Sequence, residues 1–336
     1  MLRRAIASAL AQTGPSLQVC VYDNAGDPEN GAVVAGFADT RVRYLRHETN
    51  GGVHSNFQFG LTQLSTAFFS FLADDDFLLP GFYAGAMAAL AAEGEAMFAM
   101  TQVVLVDGAG RTLGIDGMGW RPGLYRPPAG LLTMVRRGHI NWTGILFRRE
   151  VLSAVPALDP RTSPSFDLDF ELRLAGRCPF VVCASRGAVM VHHPDSASAR
   201  ARLDDTWPSH LVIIENAATA PMSADERVQV RGALERQLGG RVYRIGRAAA
   251  RQGDIDDADR AAAVIVERYG WRRRAALIRL AARFCAAVPT AQPALRLALN
   301  AYRSMRSRQL RGALGGENCG RAEPVQGWAS PRRYNR

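Results

Sequence analysis

The sequence predicts an α/β fold: a Rossmann-like mixed sheet flanked by helices, followed by a helical extension. Three observations predict it. Strand-like and helix-like segments alternate through the first hundred residues. An aromatic-rich run, 67–72, leads into Asp74, Asp75 and Asp76 and is closed by Pro80, which reads as a buried strand with acids at its carboxyl end. From about residue 205 the apolar spacing turns helical.

The elements follow in order. Residues 1–12 form an amphipathic helix, 17–22 a short apolar strand ending in Tyr22-Asp23-Asn24, and 41–46 an alternating strand. Asn50-Gly51-Gly52 opens a helix, where glycine permits close backbone approach and a helix N-terminus favours anions. The strand 67–72 brings its acids to the crevice where open α/β sheets bind ligands. Two carboxylates ~4 Å apart repel by about 4 kcal/mol at an effective dielectric of about 20. A divalent cation with phosphate oxygens relieves that repulsion; an acidic turn facing water is the simpler alternative. A helix at 81–93, a strand at 97–106, a turn at 107–110, an irregular loop at 122–128 and short strands at 180–183 and 188–191 complete the expected sheet. Residues 166–174 read as a helix opened by Asp167, and Ser223 as a helix N-cap.

In order and spacing these pieces resemble the GT-A nucleotide-sugar glycosyltransferases of family 2 over roughly residues 1–200. Members show a strand ending in a D-N-A or D-G-S loop, an N-x-G helix start, an F-L-D-D-D-D-type metal loop followed by Pro, and a late helix start like E-D-Y-D-L-W-L-R-L. Here these are Asp23-Asn24-Ala25, Asn50-Gly51-Gly52, Asp74-Asp75-Asp76 and Phe166-Asp167-Leu168-Asp169. Ala73 and Phe166 depart from the pattern. So does the beginning: residues 1–12 match the family's first helix, and the V-S-V-V-I-P-x-Y-N-like strand before it is not in this sequence. That strand lies mid-sheet, between those at 17–22 and 67–72, so both are expected to carry unpaired backbone groups. An upstream start or a crippled relative each accounts for this.

The resemblance implies roles. Asp23 would bind the nucleobase, Asn50 and Gly52 the diphosphate, and Asp74 the ribose or sugar. Asp75, Asp76 and His193, the last from a late H-x-x-x-x-S-like segment, would hold Mg²⁺ or Mn²⁺. Asp167 would be the general base of an inverting transfer, with Asp169 as fallback. Bland readings accompany each: Asp23 as a turn cap, Asp167 as a helix cap, His193 as a surface loop residue. Trp142 in Asn141-Trp142-Thr143 is expected to offer a sugar-stacking face. The expected function is transfer of a sugar from a nucleoside diphosphate to a polysaccharide or lipid-linked acceptor. The alternative is a non-catalytic remnant that binds a nucleotide or a partner.

Charge separates two regions. Residues 1–200 hold 17 Arg and 18 acids; residues 201–336 hold 24 Arg and 13 acids, and the chain has no Lys. Residues 271–311 carry ten Arg and no acid, in part at amphipathic helical spacing. This suits peripheral contact with an anionic membrane or a solvated helical face; nucleic acid is a poorer match, since aromatics are sparse. No apolar run of ~18 residues and no signal peptide are found, so a cytoplasmic chain, peripheral at the inner membrane face, is expected. Five scattered cysteines indicate neither a disulfide framework nor a zinc site. The expected divisions are 1–200 (a nucleotide-binding half, 1–100, and an acceptor half, 101–200), a basic helical extension, 201–311, and a disordered tail, 312–336.

Overall fold

The computed structural model describes residues 1–193 and 202–288; the expected tail and the second half of the basic stretch lie outside them. The chain divides into two compact units. Among described residues the first holds 1–193 and 208–234, and the second holds 202–207 and 235–288. Besides the boundary after residue 200, the division crosses two long helices, at 207/208 and 234/235.

The first unit opens with α1 (Leu2–Leu10), β1 (Val19–Asp23), α2 (Asn30–Ala35), β2 (Val42–Arg46) and α3 (Val53–Thr62). Next come β3 (Phe68–Phe69), β4 (Phe77–Leu78), α4 (Phe82–Ala92), β5 (Phe98–Asp107), β6 (Thr112–Asp116), β7 (Gly123–Tyr125) and α5 (Ala129–Arg137). The series closes with β8 (Ile145–Arg148), α6 (Val151–Ala154), α7 (Phe166–Ala175) and β9 (Phe180–His192). Seven strands make a mixed sheet in the order β3-β8-β5-β9-β4, with β6 on β5 and β7 on β9. β5 and β9 run parallel at its centre, and β5 is buried almost throughout, which is why it reads as a continuous apolar run. The two short strands expected at 180–183 and 188–191 are one 13-residue strand, its register against β5 shifting near Gln102. The loop expected at 122–128 contains β7.

β1 and β2 pair in parallel as a separate two-stranded sheet. Among described residues β1 thus pairs only with β2 and β3 only with β8, leaving one edge of each without a strand. Cys20, in the middle of β1, is exposed accordingly, and the Tyr22 carbonyl takes a hydrogen bond from the Asn56 side chain at 3.0 Å. This is the interruption the sequence predicts.

The remaining helices are α8 (Leu203–Ala217), α9 (Ala224–Gln252), α10 (Ile255–Tyr269) and α11 (Arg272–Ala287). Ser223 caps α9 as expected, in a reciprocal box with Glu226. In the second unit an alanine-rich core, including Ala249, Ala258, Ala261, Ala262, Ile265, Ala275 and Ile278, lets the helices approach closely. α10 begins at Asp254, whose side chain accepts from Asp257 N–H at 3.0 Å, and ends at Gly270 in the left-handed region.

Candidate active site

The acid loop connects β3 to β4. Asp74 is exposed at its tip. Asp75 is half-buried, and its Oδ2 lies 2.8 Å from Nε2 of His193, just beyond β9. Asp76 turns inward and is 3% exposed. One oxygen accepts from the Thr143 hydroxyl at 2.7 Å and the other from the Val191 N–H at 2.9 Å. Burial pushes its pKa up to about 6 against the pull of those two bonds, with Asp75 and Asp74 adding to the rise. Asp76 therefore anchors the loop to the Thr143 turn and β9. Of the three residues expected at the metal, the fold thus brings Asp75 and His193 together and turns Asp76 to other partners; no group of three or more metal-ligating side chains gathers among the described residues.

α1 supports the same loop. Arg4 donates to the Asp75 carbonyl at 3.0 Å, with its guanidinium 4.4 Å over the Phe77 ring. Ser8 Oγ accepts from Leu78 N–H, and Gln12 donates to the Leu79 carbonyl. Sequence reasoning missed Arg4 and Thr143, which lie 71 and 67 residues from their partners. Neither has a local signal.

Asp23, expected at the nucleobase, is the last residue of β1 and is buried. Its oxygens accept from Gly26 N–H, Asn30 and the Tyr44 hydroxyl (2.6 Å), and Arg46 stands 3.6 Å away. Burial raises its pKa, but Tyr44, Gly26, Asn30 and Arg46 outweigh that and hold it below the usual range. The carboxylate expected at the nucleobase is thus engaged by groups of the fold itself. Asn50 and Gly52 do meet: Asn50 Oδ1 accepts from Gly52 N–H at 2.9 Å and from Asn24 at 2.8 Å, while Asn24 accepts from Gly51 N–H. Gly52 caps α3 with φ 84° and ψ 163°, a conformation open essentially to glycine alone.

Asp167 lies in the first turn of α7, half-buried, after the cap residue Ser165. Asp169 does not serve as a fallback base. It is fully buried, 2.6 Å from Arg173 Nε, and accepts from Asn216 at 2.9 Å.

An aromatic floor ties these parts together. Trp142 stacks on Phe71 at 4.3 Å and meets Phe166 at 5.9 Å, while His54, in the first turn of α3, meets Phe166 at 5.5 Å. Phe166 precedes Asp167, and Thr143 follows Trp142. The acid loop, the start of α3 and the start of α7 thus share one foundation. Trp142, only 5% exposed, is part of that floor and not a sugar-stacking face.

Beside Asp167, on the next turn, Glu171 is entirely buried and neither of its oxygens accepts a hydrogen bond. His139 Nδ1 is 3.6 Å from it. Burial pushes its pKa up to about 7; His139 opposes this, and Asp167 and Asp116 add to it. No sequence pattern marks a buried Glu in a helix of mixed polarity.

In sequence and in fold the chain is similar to known proteins. A family model, Glycosyl transferase family 2, matches residues 1–155. Over that stretch, just under half of the chain, it is similar to glycosyl transferase family 2. Two Rickettsia proteins, from R. felis and R. bellii, each named an uncharacterized glycosyltransferase, are 37% identical over 82 residues. The matched segment is 24% of this chain but only 13% and 11% of those proteins. Among solved structures, S. aureus TarS 1–349 in complex with UDP-GlcNAc superposes with a TM-score of 0.60 at 14% identity, covering 84% of this chain and 85% of that one. S. aureus TarS gives 0.57 at 15% identity, covering 83% and 50%. The likeness extends the shared fold beyond residue 155 into the helical region.

Proposed function

We propose that this chain is an inverting glycosyltransferase of family 2 that moves a sugar from a nucleoside-diphosphate donor to a polysaccharide or lipid-linked acceptor at the cytoplasmic face of a membrane. The observation that carries the reading is the common aromatic floor. It links the loop that carries Asp75, through Asp76, Thr143 and Trp142, to Phe166 and the first turn of α7.

In this reading Asn50 and Gly52 meet the diphosphate at the start of α3, and Asp74 reaches the ribose or sugar from the loop tip. Asp75 and His193, a carboxylate and an imidazole in contact, fit a divalent site completed by substrate oxygens, because Mg²⁺ binds through one or two carboxylates plus phosphates. When bound, Mg²⁺ or Mn²⁺ would offset charge on the departing diphosphate. Asp167 takes the proton of the acceptor hydroxyl as its oxygen bonds to the anomeric carbon. The bond from that carbon to the phosphate oxygen breaks, and its electron pair leaves with the nucleoside diphosphate. Attack from the opposite face inverts the anomeric centre.

The split sheet favours a second reading, a remnant that binds nucleotide without turnover, because two strand edges are unpaired among the described residues. Release of UDP from UDP-GlcNAc with Mn²⁺ separates the two, starting from the donor held by the TarS structure. Turnover supports the enzyme; binding without release across a panel of UDP- and GDP-sugars supports the remnant.

A further inference from the structure

The second unit carries an apolar surface that its own core does not use. α11 has two apolar faces. Ala275, Ile278, Ala282 and Cys285 are buried in the core of that unit. Leu277, Leu280 and Phe284, with Val288 just past the helix end, recur at the spacing of a single stripe on another face. They are 60%, 68%, 52% and 38% exposed. Twelve large hydrophobic side chains are exposed among the described residues, and these four are the ones that align on one helix. Scattered exposed apolar residues are ordinary; a contiguous row is a contact surface.

The rim of the stripe identifies its occupant. Arg273 precedes Leu277 by one turn, in line with the row, and Arg274 and Arg283 flank it on either side. All three are exposed, as is Arg272, and α11 contains no acidic residue. Asp259 of α10 reaches only Arg279 and, at 3.8 Å, Arg283. Arg274 stacks 4.3 Å over Trp271, an arrangement that keeps its charge at the rim. A second copy of the chain would bring two arginine rims together, and the like charges oppose that pairing. An anionic bilayer accepts both parts at once: the apolar row enters the acyl boundary and the arginines meet lipid phosphates.

We propose that the Leu277–Leu280–Phe284–Val288 face of α11, with its rim of Arg273, Arg274 and Arg283, is a docking surface for an anionic lipid bilayer. The helix lies flat in the interface and does not cross it; no helix among the described residues is long and apolar enough to do so. The inference is independent of the catalytic reading, since it concerns a surface and not turnover.

The test is sedimentation of the full chain with phosphatidylcholine vesicles, with and without phosphatidylglycerol, at low and high salt. Binding is expected to phosphatidylglycerol vesicles, falling at least about tenfold on pure phosphatidylcholine or in high salt. The Leu280→Glu, Phe284→Glu double variant, altered only at exposed positions, is expected to lose at least about tenfold more. A Phe284→Trp variant reports insertion directly, through a blue shift of the added indole on vesicle addition. No binding to the anionic vesicles, undiminished binding by the double variant, or an unshifted indole overturns the proposal. So does self-association of the chain that the double variant abolishes, which would assign the face to a second copy.

Discussion

His193 Nε2 lies 2.8 Å from Asp75 Oδ2, joining residues 118 positions apart in the chain. The contact sets the end of β9 against the tip of the acid loop. A carboxylate and an imidazole then face each other, while the neighbouring Asp76 is engaged by the fold.

If that pair holds the cation, the two side chains act together. Asp75→Ala and His193→Ala should each weaken Mn²⁺ binding about 10- to 100-fold, and the double variant little more than either, since contacting residues couple. Titration calorimetry with Mn²⁺ and UDP present checks this. Full affinity in both single variants would remove the pair from the metal site.

Thr143 is expected to stabilise the fold through Asp76. Thr143→Val keeps the shape but leaves a buried carboxylate one donor short, a loss of about 1–3 kcal/mol in denaturant unfolding. The loss should shrink at pH 5, where a group with a pKa of about 6 is mostly protonated and needs fewer donors. Wild-type stability in the variant at pH 8 would contradict the anchoring role.

Glu171 makes a signed prediction for stability against pH. Its folded pKa of about 7 lies above the ordinary 4.5, so the folded state holds a proton that the unfolded chain gives up. That contribution is complete below about pH 4.5 and is lost as pH rises through about 7, about 3 kcal/mol in all. Glu171→Gln should therefore melt higher than wild type above pH 7 and show a flatter profile between pH 4.5 and 7. Parallel thermal profiles for the two proteins would show that Glu171 titrates normally.

Much of this was legible in the sequence because it is local. The aromatic run before Asp74 marks a strand, although only Phe68–Phe69 of the expected 67–72 pair and only Phe69 is buried; Asn50-Gly51-Gly52 marks a helix start that needs glycine, and Ser223 with Glu226 a reciprocal cap. The open sheet edges were legible too, since the order of elements implied edges without a strand beside β1 and β3 among the described residues. Side-chain direction was not. Asp74, Asp75 and Asp76 are identical in sequence, yet one is exposed, one meets His193 and one is buried, and only Thr143, Val191 and Arg4, all distant in the chain, decide which. The partners of Asp23 were hidden for the same reason: Tyr44 and Asn30 reach it from other elements. Trp142 looked like a loop aromatic because its partners, Phe71 and Phe166, come together only through folding.

The central claim is that a donor held at Asp75 is attacked by an acceptor deprotonated at Asp167. The most direct measurement is nucleoside diphosphate release with Mn²⁺ by wild type, Asp75→Ala and Asp167→Asn, alongside calorimetric binding of the same donor. The account predicts that Asp75→Ala loses donor binding, while Asp167→Asn keeps it and releases product about 10²- to 10⁴-fold more slowly. Release by Asp167→Asn at the wild-type rate, or full donor binding by Asp75→Ala, would contradict it.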